Sequence, residues 1–520
     1  MALSAKSSFT SIRKDCDLCR SISATNSLLR GIIIISMRKP ITDYLLYKYR
    51  YVLSYLCLAA LLIAVLWIGT LNVPGGLREQ EIRSVGQASM LSRQTLEPSM
   101  VINLPYYLLQ RLSIFVFGVT EFSIKLPSIV LGTLTMLGVF LLIRAWFKPS
   151  IAVISTIVLT ASTHFLFQAQ DGTPGITFST IAIWLMVAGM YVTRGKHFHT
   201  FWKVLGGVLM GMALYLPMGA YLDLIIIIVA LVHPHIRAII KRLPKKKLLI
   251  AMLVGIAAMA PLVYALIIEP REIGRALLGL PPNFTNIKTN ALQSAFGLFG
   301  FAATDKATDG LLQPAYVLPL AAIALLGFCR LLVTHYTARS YVMIMLSLVL
   351  MPLALLNPSN QHSVFVLMVI ATATGFDFLI GYWYRLFPRN PYARVAGLVP
   401  LSVLVGGLIY ISIGQFFNGY TYNPAVARAY SSDLSLVNTQ IRQQKNVTLL
   451  ADDSEMPIYS LAAHYNKALT VATEPNLEAT QITSTRAARN KVPKGWQLKQ
   501  IITNARANAS DRLYIYKKSQ

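Results

Sequence analysis

NLPYYLLQRLSIFVFGVTEFSIKLPSIVLGTLTMLGVFLLIRAWF, residues 103–147, falls into two physically different halves. The first, 103–118, is apolar and aromatic, carries Arg111 in its middle and stops at Gly118. Such a run is too short to cross a bilayer, and its Tyr and Phe side chains are at home in the headgroup layer. The second half has no charged residue from 126 to 143, and together with the preceding turn it gives the roughly 20 residues that span a ~30 Å hydrocarbon core. Glu121 and Lys125 mark its wet entry and Arg144 its far side. The stretch thus predicts an interfacial helix followed by a transmembrane one.

The rest of the chain extends that pattern. Of its 520 residues 55% are hydrophobic and 13% charged, with a mean hydropathy of +0.55, whereas soluble domains carry about 25% charge. This is the composition of a polytopic membrane protein. The net charge of +26 does not indicate a nucleic-acid binder, because the basic residues are spread between apolar runs and form no single basic face. Four cysteines cannot scaffold so long a chain; Cys57 and Cys329 sit in or beside apolar runs, and the CxxC of Cys16 and Cys19 has no second pair.

Apolar stretches predict eleven spans: 51–70, 124–143, 150–167, 174–193, 203–218, 219–233, 248–268, 314–333, 341–357, 363–383 and 395–414. The pair flanking Leu216-Pro217 also reads as one kinked span. With the N-terminus inside, the inside loops from Arg144 to Arg394 hold Lys and Arg but no Asp or Glu, while the outside loops mix both signs. That is the positive-inside bias, and merging two spans would invert every later loop and destroy it. The expectation is an integral protein of the plasma membrane, N-terminus cytoplasmic and C-terminus extracytoplasmic. Residues 1–36 read as an upstream extension of a tail, 1–50, that leads into a transmembrane domain, 51–414.

Three outside segments exceed simple connectors: 71–123, 269–313 and 415–520. In the last, NVTLLADD, KALTVAT, GWQLKQII and RLYIYKK read as strands and EMPIYSLAAHY as a helix, predicting a small α/β or α+β domain. The first contains GGLREQEIRSVG (75–86), an acidic and basic cluster at a membrane exit, followed by helically spaced apolar residues up to Leu91.

Residues 103–147 resemble the second-span region of the membrane-embedded C-type glycosyltransferases, the superfamily of protein O-mannosyltransferases and the bacterial aminoarabinose transferase. Pro105, Gly118, Glu121 and Leu126-Pro127-Ser128 carry the likeness, with Lys125 where that family has Arg. It is specific over 71–175 and architectural over 45–415. The resemblance implies inverting transfer of a sugar from a polyprenyl-phosphate donor to an extracytoplasmic acceptor, whether protein, lipid or cell-envelope polymer. In that family an Asp of an Asp-Glu pair in the first outside loop is the proposed base; aligned without gaps, the pair falls on Gln80-Glu81. The Asp is absent, so Glu81 or Glu79 must stand in, or neither serves. A base is needed because a sugar hydroxyl becomes a good nucleophile only as its proton leaves.

A second family acid corresponds to Asp171, in a loop with Gly172, Pro174 and Gly175. Cations for the donor phosphate are expected among Arg78, Arg83, Arg93 and Arg111, with Arg271, Arg275, Lys288 and Lys306 as further candidates. Glu97, before Pro98, and His362 are candidate substrate or metal contacts, a divalent metal being possible.

Each residue also has a plainer reading. Glu79 and Arg83, four apart, can simply brace a helix surface, and Asp171 can cap the helix that follows it. Asp223 and Asp377 lie near the ends of apolar runs, and the acidic group Asp452, Asp453 and Glu455 suits a turn. The rival function is a non-enzymatic transporter or lipid-handling protein, but the paired, Gly/Pro-interrupted halves common in transporters are missing.

Overall fold

In helix Glu121–Trp146 the chain crosses in one unbroken run of 26 residues, about 39 Å at 1.5 Å per residue. Its start is fixed by Thr120 and Ser123, each side chain accepting from the other's backbone N–H at 3.1 and 3.0 Å. The computed structural model describes residues 49–73, 76–91, 97–194, 199–242, 245–281, 287–300, 307–308, 310–387, 391–427, 429–443, 446–453, 455–476, 481–503 and 512–518. The chain divides into two compact units, Met1–Leu62 and Ile63–Gln520. Of the first, the described part is Tyr49 and the beginning of helix Arg50–Asn72; the other elements belong to the second.

The architecture is mainly helical, as the apolar runs require. Five helices are long and apolar enough to cross a membrane alone: Glu121–Trp146, Gly175–Thr193, Ala338–Leu356, Pro358–Leu386 and Leu398–Tyr422. Two bent pairs, Pro149–Thr160 with Thr163–Gln170 (64°) and Gly219–Val232 with Pro234–Lys241 (89°), raise the number to seven if each is one span. Each of the eleven apolar stretches overlaps a helix, but several of those helices are short or broken. At Met218 the backbone enters the left-handed region (φ 65°) and its N–H donates to Leu277 O at 2.7 Å, so the runs on either side of Pro217 are separate helices. The run 248–268 breaks between Lys245–Ala258 and Ala260–Ile268.

Helices Leu318–Val333 and Val364–Leu386 pack at unusually short range, because Gly327 faces the Ala371 carbonyl and Gly375 the Ile323 carbonyl. A Cβ at either position would overlap backbone, so these are the small-residue contacts that hold helices together in lipid.

The first outside segment forms helices Glu79–Met90 and Leu104–Phe117. The second buries Tyr106, Tyr107, Gln110, Ser113 and Ile114 and exposes Leu108, Leu112, Phe115 and Val116. An apolar outer face on a helix of this length suits the membrane interface.

Residues 447–518 build a five-stranded mixed sheet in the order Leu469–Ala472, Val447–Leu450, Gln481–Ser484, Arg512–Lys518, Trp496–Thr503. The stretches read as strands are strands, and Met456–Tyr465 is the helix; strand Gln481–Ser484 and helix Asp433–Gln443 carried no clear signal. One hydrophobic core joins Val437, Leu449, Ile458 and Leu513 to Leu77, Val85 and Ile124, so the sheet and the first outside segment bury the same surface.

Candidate active site

The site starts from the local chemistry of LREQE. Residues Leu77–Arg78 pair antiparallel with Tyr430–Ser431, placing Arg78 opposite Tyr430. The helix then begins at Glu79, and Glu81, at its third position, reaches back to accept the Arg78 N–H at 2.7 Å, as capping boxes do. The other Glu81 oxygen accepts the Gly172 N–H at 2.6 Å. Glu81, fully buried, thereby ties the first outside segment to the loop that follows helix Thr163–Gln170. Lys125 Nζ stands 3.9 Å from it. Burial pushes the Glu81 carboxyl above its ordinary value of 4.5, although Lys125 and Arg78 pull it down.

The same loop is held from the opposite side. Gln110 donates to Gly172 O at 3.0 Å, and Ser128 donates to Asp171 O at 2.5 Å. Asp171 caps the C-terminus of helix Thr163–Gln170, and its carboxylate accepts from Arg78 Nη2 at 2.5 Å and from Thr173 Oγ1 at 2.5 Å. Arg78 is 4% exposed. Burial alone would favour its neutral form, but Asp171, Tyr430 and Glu81 outweigh that and raise its pKa further. Its guanidinium lies 5.0 Å from the Phe167 ring centre and 6.0 Å from that of Tyr430. Gly310 (φ 80°) closes the box: a Cβ there would come within 2.6 Å of Arg78 Cδ.

In front of this ion pair opens a cavity of about 530 Å³. Its walls come from Arg78, Gln80 and Arg83 of the first outside segment, from Asp171, Thr173 and Phe178, from Leu216 and Pro217, from Ala276, Gly279 and Leu280 and from Asn357 to His362. The loops are tied together around it: Asn360 Nδ2 donates to Gly279 O at 2.7 Å and Asn103 N–H to Tyr215 O at 2.8 Å. His362 Nδ1 bonds Ser359 O at 2.8 Å, a contact that requires the proton on Nδ1 and leaves Nε2 as the accepting nitrogen.

The helical fold is similar to that of known proteins. Residues 104–264 match the family described as dolichyl-phosphate-mannose-protein mannosyltransferase, which extends past the stretch where the sequence likeness is specific. No curated protein sequence matches the chain. The apo crystal structure of ArnT from Cupriavidus metallidurans is similar over 90% of this chain and 98% of its own, with a TM-score of 0.54 at 11% identity. The fold is the one seen in ArnT. A second crystal structure of the same ArnT, bound to undecaprenyl phosphate, gives a TM-score of 0.52 at 12% identity, covering 89% of this chain and 97% of the other.

Within this fold the sequence candidates separate. Asp171, Arg78, Arg83 and His362 line the cavity together. Glu81 lies directly behind it. Glu79 points away and forms an exposed pair with Arg83 at 2.5 Å, both side chains more than 70% exposed. Arg111 donates to Leu91 O at 2.8 Å and joins the two outer helices. Glu97 precedes the short helix Pro98–Val101 and is not a lining residue. Arg271 and Lys288 are exposed and stand apart from this wall, and Arg275 bonds Pro281 O at 2.6 Å. Arg93, Lys306, Cys16 and Cys19 lie outside the described residues. Among the described residues no group of three or more His, Cys, Asp or Glu side chains is placed to hold a metal.

Sequence reasoning passed over Gln110 and Tyr430. Gln110 had a signal: Tyr106, Gln110 and Ser113 are polar at helical spacing on an otherwise apolar run. Tyr430 had none, since a two-residue strand leaves no pattern.

Proposed function

We propose that this protein transfers a glycosyl group from a polyprenyl-phosphate-linked sugar to an extracytoplasmic acceptor, with Asp171 as the carboxylate that takes the acceptor's proton. The observation that carries this reading is that Asp171 is the one carboxylate among the described lining residues of a cavity built at the loop ends of a C-type fold. Glu81, which the resemblance brings forward as base, has both oxygens bound by backbone N–H groups behind that cavity. Its role is positioning: it holds Arg78 and Gly172 together. Gln80 lines the cavity where the family's Asp is expected, and an amide can bind a hydroxyl but not remove its proton.

In the reaction an acceptor hydroxyl attacks the anomeric carbon, the bond from that carbon to the phosphate oxygen breaks, and polyprenyl phosphate leaves with the electron pair. Asp171 receives the hydroxyl proton, and attack opposite the leaving group inverts the anomeric centre. Arg78 and Arg83 supply positive charge for the leaving phosphate. The ArnT structure with undecaprenyl phosphate supports a lipid-phosphate donor for this fold. The cavity faces the extracytoplasmic side in the orientation that the loop charges favour.

The experiment is to purify the full chain, measure undecaprenyl-phosphate binding by native mass spectrometry, and assay release of polyprenyl phosphate from a panel of polyprenyl-phosphate sugars. Asp171→Asn should abolish release with the fold intact, while Glu79→Gln should leave it unchanged. Binding without release from any donor would favour a lipid-handling protein instead.

A further inference from the structure

At the opposite end of helix Gly175–Arg194 lies a second cavity, of about 440 Å³. Ile176 and Phe178 line the first cavity and Met186, Met190 and Thr193 the second, so the two are about 20 Å apart along the helix. The second is walled by aliphatic and aromatic side chains, Trp146, Met190, Val229, Ile236 and Val342 among them. It has the form of a slot for a hydrocarbon chain, with Arg339 in its lining beside the polar side chains of His235, Thr193 and Thr337.

Arg339 is half-buried at the start of helix Ala338–Leu356. Its guanidinium lies over the Phe147 ring, 4.8 Å from the centre, and its Nε is buried with no hydrogen-bond acceptor. Among the described residues no carboxylate lies within ion-pair distance of it, and Asp377 and Arg330 act on it with opposite signs from farther away. Arginine stays protonated and brings five donors in a planar fork, the shape that receives a phosphate. The ring contact fixes the plane of the fork and satisfies none of those donors.

A second observation points the same way. Helix Pro234–Arg242 turns by 89° from the helix before it. Ile236, Ile239 and Ile240 line the slot, whereas Arg237 and Lys241 are exposed. A short amphipathic helix with a basic outer face, lying across the end of a bundle, attracts anionic lipid headgroups.

We propose that this slot binds an anionic phospholipid, one acyl chain between the helices and the phosphate on Arg339. The site is independent of the glycosyl-transfer reading and stands or falls without it. The test uses the full-length protein in detergent, titrated separately with dioleoylphosphatidylglycerol and dioleoylphosphatidylcholine and read as retained lipid by native mass spectrometry. The phosphatidylglycerol should be retained roughly tenfold more strongly. Arg339→Gln should abolish the preference, Arg339→Lys should keep part of it, and Val342→Trp, which fills the slot, should reduce retention of both lipids. Equal retention of the two lipids by the wild type, or an undiminished preference in Arg339→Gln, would overturn the proposal; a Val342→Trp protein that retains both lipids normally would overturn the slot itself.

Discussion

Replacing Asp171 by Asn tests the ion pair on which the candidate site is built. The substitution keeps an oxygen for Arg78 Nη2 to bond, so what it removes is charge. Arg78 is 4% exposed and cannot shed its proton, so the cost falls on the folded state. Breaking a buried pair in this way costs about 3–5 kcal/mol. Glu81 remains close to Arg78 as a carboxyl that can ionise against it, which places this case near the lower end, about 3 kcal/mol. Because helices in a micelle do not unfold in a single step, the quantity to read is local opening, by hydrogen exchange of the amides at Arg78 and Gly172. Both amides are bonded to Glu81 and open when the two loops separate. A loss of about 3 kcal/mol speeds their exchange roughly a hundredfold. Arg78→Gln should do the same, and the double variant should cost less than the sum of the two by about 1–3 kcal/mol. Exchange within about a factor of two of the wild type, or effects that simply add, would refute the reasoning.

Glu79→Gln, by contrast, disrupts an exposed pair worth about 0.3–0.5 kcal/mol and should alter the same exchange rates by no more than about twofold; a larger effect would mean that Glu79 belongs to the loop junction. The Glu81 carboxyl is held above 4.5, so from that pH upward the folded protein keeps a proton the unfolded chain has lost. Its stability therefore falls as pH rises through this window. Protection of the Gly172 amide in wild type and Glu81→Gln between about pH 4 and 7, corrected for the intrinsic pH dependence of exchange, should show this decline in the wild type alone, and parallel curves would contradict it. Gly310→Ala demands a strained backbone (φ 80°) and puts a Cβ 2.6 Å from Arg78 Cδ. It should displace the guanidinium and cost about 1–3 kcal/mol, measured by the same exchange assay; wild-type protection of the Arg78 amide would show that the box is looser than described.

The sequence made the helices and the Asp171 loop legible because both depend on local chemistry: long apolar runs, and Gly172, Pro174 and Gly175 in eight residues. It could not rank Glu79 against Glu81. Two positions apart on a helix they point some 200° away from each other, so one must face inward, but which one depends on what the helix packs against. Its neighbours are helix Leu104–Phe117, the Gly172 loop and helix Met456–Tyr465, the last of them near the far end of the chain. Span counting met a similar limit. Hydropathy registers apolar content over 203–233 and 248–268, whereas the break at Met218 comes from a left-handed backbone held by Leu277 O, and the one at Met259 precedes a helix that starts with Pro261 in its first two positions.

The core shared by Leu77, Val85 and Ile124 with Val437, Leu449 and Leu513 bears on how the protein can be shortened or recombined. A chain ending before Tyr430 would uncover those three residues and remove the strand that fixes the Arg78 backbone, so the loss would be felt at the cavity and not only at the missing end. Exchanging residues 430–518 between relatives would carry the same risk unless residues 77–124 travelled with them. Although they stand at opposite ends of the numbering, the two segments form a single inheritable piece.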